Sequence, residues 1–199
     1  ELVDLLGVAE GDASFLDPSD AATVVMAFEL LDNLPHDKIR VHGGRIEQAC
    51  VIAPGGDSSE TEEVFEPLSD ELLRDVLLKV PAFKRAKIAW IPTVACGLLE
   101  RLSRERPKAN ILFADFDWLP APDGVSPVGD RRSTWAVGEP LVTSMEDVDY
   151  ECYLRAPELC DILFPTNFSL LSQYARRAWS GPGTRVKVQK QADFLQDFG

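Results

Sequence analysis

The chain has 199 residues, 45% of them hydrophobic, with a formal net charge of −13 and a pI near 4.5. That length fits one ordinary domain or part of a larger one, and the apolar content excludes general disorder. The acidic balance disfavours nucleic-acid binding, which needs a basic face, and no apolar stretch approaches the roughly 18 residues that would span a bilayer. The charge serves solubility, with attraction of a basic protein partner as the alternative.

Residues 1–9 read as the end of a helix stopped near Gly11, and Gly11-Asp12-Ala13-Ser14 as a polar turn. The acidic start has no targeting pattern, so the chain is expected to begin inside a domain. Residues 22–28 form the first strand, an apolar run that reads as buried. It leads into Phe28-Glu29-Leu30-Leu31-Asp32-Asn33-Leu34-Pro35-His36-Asp37. A strand ending in such residues delivers polar groups to a site, because ligands bind outside the carboxyl ends of strands in open α/β sheets.

A hairpin follows over 39–53, alternating about His42-Gly43-Gly44. Residues 54–59 read as a loop and Glu60 to Glu66 as an acidic connector. Ser69-Asp70-Glu71 caps a helix over 69–79 with Leu72, Leu73, Val76 and Leu77 on one face. A short strand at 88–91 precedes a helix over 94–105, with Thr93 as its N-cap. Asn110 to Ala114 is a strong strand running into Asp115-Phe116-Asp117-Trp118, and 119–139 is a long loop. A strand at 161–164 leads to a helix at about 168–179, capped by Thr166 or Asn167. Val186-Lys187-Val188 is a last short strand and Gln191 to Phe198 a terminal helix. Strands alternating with helices, plus a hairpin, predict an α/β fold with a mixed sheet.

The cysteines Cys50, Cys96, Cys152 and Cys160 form no C-x-x-C pair, and His36 and His42 are the only histidines. No zinc site is expected. Cys50 and Cys96 read as core residues, Cys152 and Cys160 as a pair able to approach, and a reducing compartment is the default. The basic clusters at 84–87 and 101–108 read as solvated helix faces. There is no Gly-x-Ser-x-Gly elbow, P-loop or G-x-G-x-x-G, which removes serine hydrolases, P-loop enzymes and a complete dinucleotide fold.

Asp12 offers a carboxylate to an adenine amine or a ribose hydroxyl, or is an ordinary turn residue. Glu29 and Asp32 share a face if the chain turns helical after Phe28. They would then hold a guanidinium through two hydrogen bonds or act as acid and base; otherwise Asp32 caps a turn and Glu29 is solvated. His36 relays a proton or holds a loop through its ring nitrogens. Asp115 and Asp117 read as pins for the long loop, and Asp161 and Asn167 as structural.

Six segments occur in order: Gly11-Asp12-Ala13-Ser14, Glu29 to Asp37, Phe65-Glu66-Pro67-Leu68-Ser69-Asp70, Trp90-Ile91-Pro92-Thr93, Ala114 to Pro120, and Asp161 to Phe168. Together they resemble the MidA family of S-adenosylmethionine-dependent methyltransferases, which includes the mitochondrial complex I assembly factor 7. The resemblance implies a class I, Rossmann-like fold, a seven-stranded sheet with family insertions, spread over 1–199 as a single domain. It implies S-adenosyl-L-methionine as cofactor, protein arginine methylation, a complex I subunit as protein partner, a mitochondrial location and no metal. Asp12 and Ala13 would match the acidic turn beside the adenine, and Phe28 a cofactor-facing strand end. Glu29 and Asp32 would match the acidic motif that holds the guanidinium, with His36 beside them.

Two departures stand out. Phe28 occupies a position where many bacterial members carry Asn. The family's glycine-rich loop and ribose-gripping acid fall upstream of Glu1, so the N-terminal part of the cofactor domain is expected to be missing. Two rivals to the arginine methyltransferase reading are a non-catalytic assembly protein on the same fold and a small-molecule methyltransferase. Asp12→Ala is expected to weaken S-adenosyl-L-methionine binding by about 1–3 kcal/mol in calorimetric titration. Superimposable titration curves would remove Asp12 from the cofactor site.

Overall fold

The computed structural model describes residues 23–52, 61–80, 87–119, 138–144, 148–150, 152–155, 159–181 and 184–198. The strands are β1 (Val24–Phe28), β2 (Asp37–His42), β3 (Arg45–Ile52), β4 (Glu62–Pro67), β5 (Ile88–Ile91), β6 (Asn110–Ala114), β7 (Leu141–Ser144), β8 (Asp149–Tyr150) and β9 (Cys160–Leu163). The helices are α1 (Glu71–Lys79), α2 (Thr93–Glu105), α3 (Phe168–Ala178) and α4 (Gln191–Phe198), with 3₁₀ turns at Leu31–Asn33 and Tyr153–Arg155. Among the described residues no helix is long and apolar enough to cross a membrane.

Among the described residues parallel and antiparallel pairing both occur, in three ladders. β1 and β6 pair in parallel, Val24 opposite Asn110 and Phe28 opposite Ala114. A second ladder runs β4-β3-β2-β5 and a third β8-β7-β9, both antiparallel. The β2–β3 turn uses Gly43 and Gly44 at φ 57° and 76°, the left-handed pair that a two-residue hairpin requires.

The core lies where β2 and β5 meet the helices. Ile39, Ala89 and Ile91 pack with Leu73 and Val76 of α1, Cys96 and Leu99 of α2, and Leu170 and Tyr174 of α3. A polar clip joins the three helices: the Tyr174 hydroxyl donates to Glu100 at 2.8 Å, and Lys79 donates to Glu100 at 3.1 Å. Leu31 and Leu34 belong to the same core, so the segment after β1 is anchored in it.

Local capping follows the side-chain chemistry. Asp70 caps α1 by accepting the Leu73 N–H at 2.7 Å, and Asn167 caps α3 by accepting the Leu170 N–H at 3.0 Å. The α2 cap is different from the expected one. Pro92 is the N-cap, and Thr93 is the first helical residue, its buried hydroxyl turned back to the Ile91 carbonyl at 3.3 Å.

Other expectations are corrected. β1 is not a buried strand: Val24, Met26 and Phe28 are 60%, 57% and 56% exposed, because one face of the two-stranded ladder is left open. The acidic stretch before Pro67 is strand β4, made possible because Glu63 pairs with Lys38 of β2 at 2.8 Å. Residues 186–188 form no strand; the Val186 carbonyl accepts from Arg176 at 3.2 Å instead of from a ladder. They face β6 across a groove of about 690 Å³ lined by Ile111, Phe113, Phe168 and Trp179. Cys96 is core, but Cys50 is only half-buried on β3, and Cys152 and Cys160 are free thiols. The helix at 1–9, the basic residues 84–86 and most of the loop 119–139 lie outside the described residues.

Removing the α1 cap with Asp70→Ala is expected to destabilise the fold by about 1 kcal/mol. A denaturant midpoint equal to the parent's would show that the Leu73 N–H finds another partner.

Candidate functional site

The parallel pair ends with the Glu29 N–H donating to the Ala114 carbonyl at 2.9 Å. There the two chains part. Glu29 takes φ 50°, the only non-glycine left-handed backbone among the described residues. Such a conformation costs roughly 1–2 kcal/mol for a residue with a Cβ, and it recurs at functional sites. The Glu29 side chain is left exposed, and its carbonyl accepts from the Asn33 amide at 3.2 Å. The helical turn starts only at Leu31, so Glu29 and Asp32 do not share a helical face.

Both are tied to Asn33, whose amide bonds the Glu29 carbonyl and the Asp32 carboxylate. Asp32 is 2% exposed, drawn inward by its neighbours Leu31 and Leu34. Burial pushes its carboxyl above the usual carboxylate range; the negative charges of Asp115 and Glu29 push the same way, against a hydrogen bond from Asn33. That bond, from the Asn33 amide to Asp32 Oδ1, measures 2.7 Å. Asp115 lies against the same turn, with Oδ2 accepting the Leu31 N–H at 2.7 Å and the Asp32 N–H at 3.2 Å. Among the described residues Asp115 therefore pins the acidic turn, while most of the long loop it was expected to pin lies outside them. Asp117 points elsewhere and pairs with Lys190. Among the described residues no cation pairs with Glu29, Asp32 or Asp115. Nor does any group of three His, Cys, Asp or Glu among them have the arrangement to hold a metal ion.

His36 takes the loop-holding role of the two that the sequence left open. Its Nδ1–H donates to the Leu34 carbonyl at 2.9 Å, and its ring stacks on Phe164 with centroids 4.1 Å apart. The carbonyl acceptor assigns the proton to Nδ1. Burial pulls the imidazole down to about 4, so it is neutral at physiological pH. The Phe164 N–H in turn donates to the Asp32 carbonyl at 2.8 Å, which seats the histidine–phenylalanine stack against the acidic turn.

Three aromatic rings stay open where the parallel strands end: Phe28 at 56%, Phe116 at 49% and Trp118 at 70% exposure. Beside them the Thr166 N–H donates to the Phe116 carbonyl at 2.8 Å, while the buried Thr166 hydroxyl finds no partner among the described residues. Phe164 and Asp115 act here in ways that sequence reasoning missed. Both partners lie far along the chain, and the nearest signal was the polar ending of each strand. Asp12 and Ala13 lie outside the described residues.

A family model described as "Putative S-adenosyl-L-methionine-dependent methyltransferase" matches residues 11–183. The chain belongs to this family. Two solved structures from Burkholderia thailandensis, both of one superfamily, are similar to this methyltransferase-family chain. One is of an uncharacterized protein and the other of a protein bound to S-adenosyl-homocysteine. Each shares 14% identity and a TM-score of 0.54 over 79% of this chain. The fold is thus the α/β, Rossmann-like one of those structures, and the family's cofactor is S-adenosyl-L-methionine. The chain spans 39% and 38% of the length of the two structures. No curated protein matches it.

The neutral His36 links stability to pH. Its folded value lies below the unfolded 6.5, so the unfolded chain takes up a proton first as the solution is acidified. Stability is expected to fall between pH 6.5 and 4, by on the order of 3 kcal/mol. His36→Phe keeps a ring on Phe164 and is expected to flatten that slope. Equal pH profiles of the unfolding midpoint would show that His36 is not held neutral.

Proposed function

We propose that this chain carries the acceptor side of a protein arginine methyltransferase of the MidA type, acting on a subunit of respiratory complex I in mitochondria. The observation that carries the reading is the pair Glu29 and Asp32. The two carboxylates sit where parallel strands end, one exposed and one buried, with no cation among the described residues to neutralise them. A buried carboxylate without a counter-charge is costly, and a guanidinium supplies both the charge and a planar fork of donors.

The residues present also suit the family's cofactor. Phe28 exposes a ring at the strand end, and cations are attracted to aromatic faces and carboxylates alike. S-adenosyl-L-methionine, when bound, supplies a methyl group on a positively charged sulfonium. Glu29 would hold the guanidinium by charge-assisted hydrogen bonds and orient one nitrogen towards the methyl carbon. On taking the methyl group, whose bond to sulfur breaks with the electron pair left on sulfur, the acceptor nitrogen would lose a proton. Asp32, whose proton affinity is raised, is the group suited to receive that proton.

A second reading, a non-catalytic assembly protein on the same fold, draws on the open stripe Val24, Met26 and Phe28. Exposed apolar surface of this kind marks interaction sites. The two readings separate on one substitution. In the full-length protein, Glu29→Gln is expected to lower methyl transfer to an arginine-containing protein by about a hundredfold or more. S-adenosyl-L-methionine affinity should stay within a few fold. Unchanged transfer of a labelled methyl group would take Glu29 out of the site.

A further inference from the structure

The acidic turn lacks a cap of its own. The N–H groups of Leu31 and Asp32 open the 3₁₀ turn, and Leu30 at the cap position offers no side-chain acceptor. Helical turns leave such groups without an internal partner, and here Leu31 and Asp32 are buried. A serine or aspartate at the cap would normally answer this need. The acceptor comes instead from Asp115, 84 residues away from Leu31, just past the end of β6.

We propose that Asp115 is a positioning residue, a cap from a distant part of the chain that fixes the turn carrying Asp32, two residues beyond the turn's cap position and three beyond Glu29. Its importance for methyl transfer rests on reading those two residues as the acceptor site. The cap itself does not depend on that reading.

The chemistry of the residue fits the task. Oδ2 accepts from Leu31 and Asp32, and Oδ1 accepts from the Phe116 N–H at 2.8 Å. Three donors on two oxygens suit a carboxylate. Asparagine has one oxygen, and its amide would set a donor against a donor. Glutamate keeps the charge, but its extra methylene displaces the carboxylate from the turn.

The side chain also acts on Asp32 through its charge. Asp115 and Glu29 are the two negative groups that hold the Asp32 carboxyl above its ordinary value, after burial itself; Asn33 opposes them by hydrogen bonding. One residue therefore sets both where Asp32 sits and how firmly it keeps a proton.

The experiment compares the full-length protein with its Asp115→Asn and Asp115→Glu variants by nuclear magnetic resonance. It reads the amide exchange of Leu31 and Asp32 and the carboxyl carbon titration of Asp32. Both variants are expected to speed exchange at these two amides by about tenfold or more, with little change at Ala27 in the ladder. Asp115→Asn should move the Asp32 midpoint down towards the ordinary 3.8, whereas Asp115→Glu should leave it raised. Parent-like exchange at Leu31 in the Asn variant overturns the cap. So does faster exchange that spreads equally to Ala27, which would report general loosening. If the Asn variant does not fold, the parent chain still decides. The Leu31 and Asp32 amide shifts must follow the Asp115 carboxyl with a common midpoint, and independent titration overturns the proposal. No cofactor or acceptor is used in these measurements, so their failure is distinct from failure of the Glu29→Gln transfer assay.

Discussion

Burial of Leu31 and Leu34 is the constraint around which the site is arranged. Each is under 5% exposed, and they flank Asp32 on a turn too short to let it escape. Once the two leucines enter the core, three costs follow. A carboxylate is desolvated, two backbone N–H groups leave water, and an imidazole goes in with them. Each cost has an answer in a neighbouring element. Asn33 bonds the carboxylate, Asp115 takes the N–H groups, and His36 gives up its charge and lies on Phe164. The raised proton affinity of Asp32 is thus a by-product of hydrophobic anchoring beside it.

Among the described residues the three ladders share no strand, and side chains help the backbone bonds at their ends to join them. Aromatic packing does much of this. Trp90 of β5 meets Phe164 beyond β9 at 5.4 Å and Tyr153 edge-on at 5.3 Å. Pairs of this kind contribute about 0.5–1.5 kcal/mol beyond the area they bury. Lys38 of β2 reaches over the same rings, 5.2 Å from the Trp90 centroid, and bonds Glu63 of β4, which also accepts the Tyr153 hydroxyl. The acidic turn is therefore held from two sides. β6 holds it by hydrogen bonds, and the antiparallel sheets hold it by stacked rings through Phe164.

What was legible in the sequence was local. Gly43 and Gly44 announce their hairpin because only glycine adopts the paired left-handed conformation cheaply. Asp70 and Asn167 announce their helices because their oxygens reach a donor three residues on. The polar ending of β1 pointed to the candidate site, and the family resemblance was upheld at the level of the methyltransferase family. The misses share a cause, which is dependence on distant partners. β4 looked like a connector because Lys38, which compensates Glu63, lies on another strand. Residues 186–188 looked like a strand because propensity says nothing of whether a neighbour is there to pair. Nothing near Leu30 foretold that its cap would come from Asp115. The left-handed Glu29 was equally hidden, since a residue that bears such strain carries no mark of it in a sequence.

The open face of β1 has a consequence for how copies of the chain behave together. Val24, Met26 and Phe28 project from alternate positions to one side, a short greasy ridge in water. At neutral pH the net charge of −13 keeps such ridges apart by mutual repulsion. Near the pI of 4.5 that repulsion is lost, while the contact between ridges costs no less water than before. Colloidal stability of the protein is accordingly electrostatic in origin, and it is weakest in mild acid and high salt.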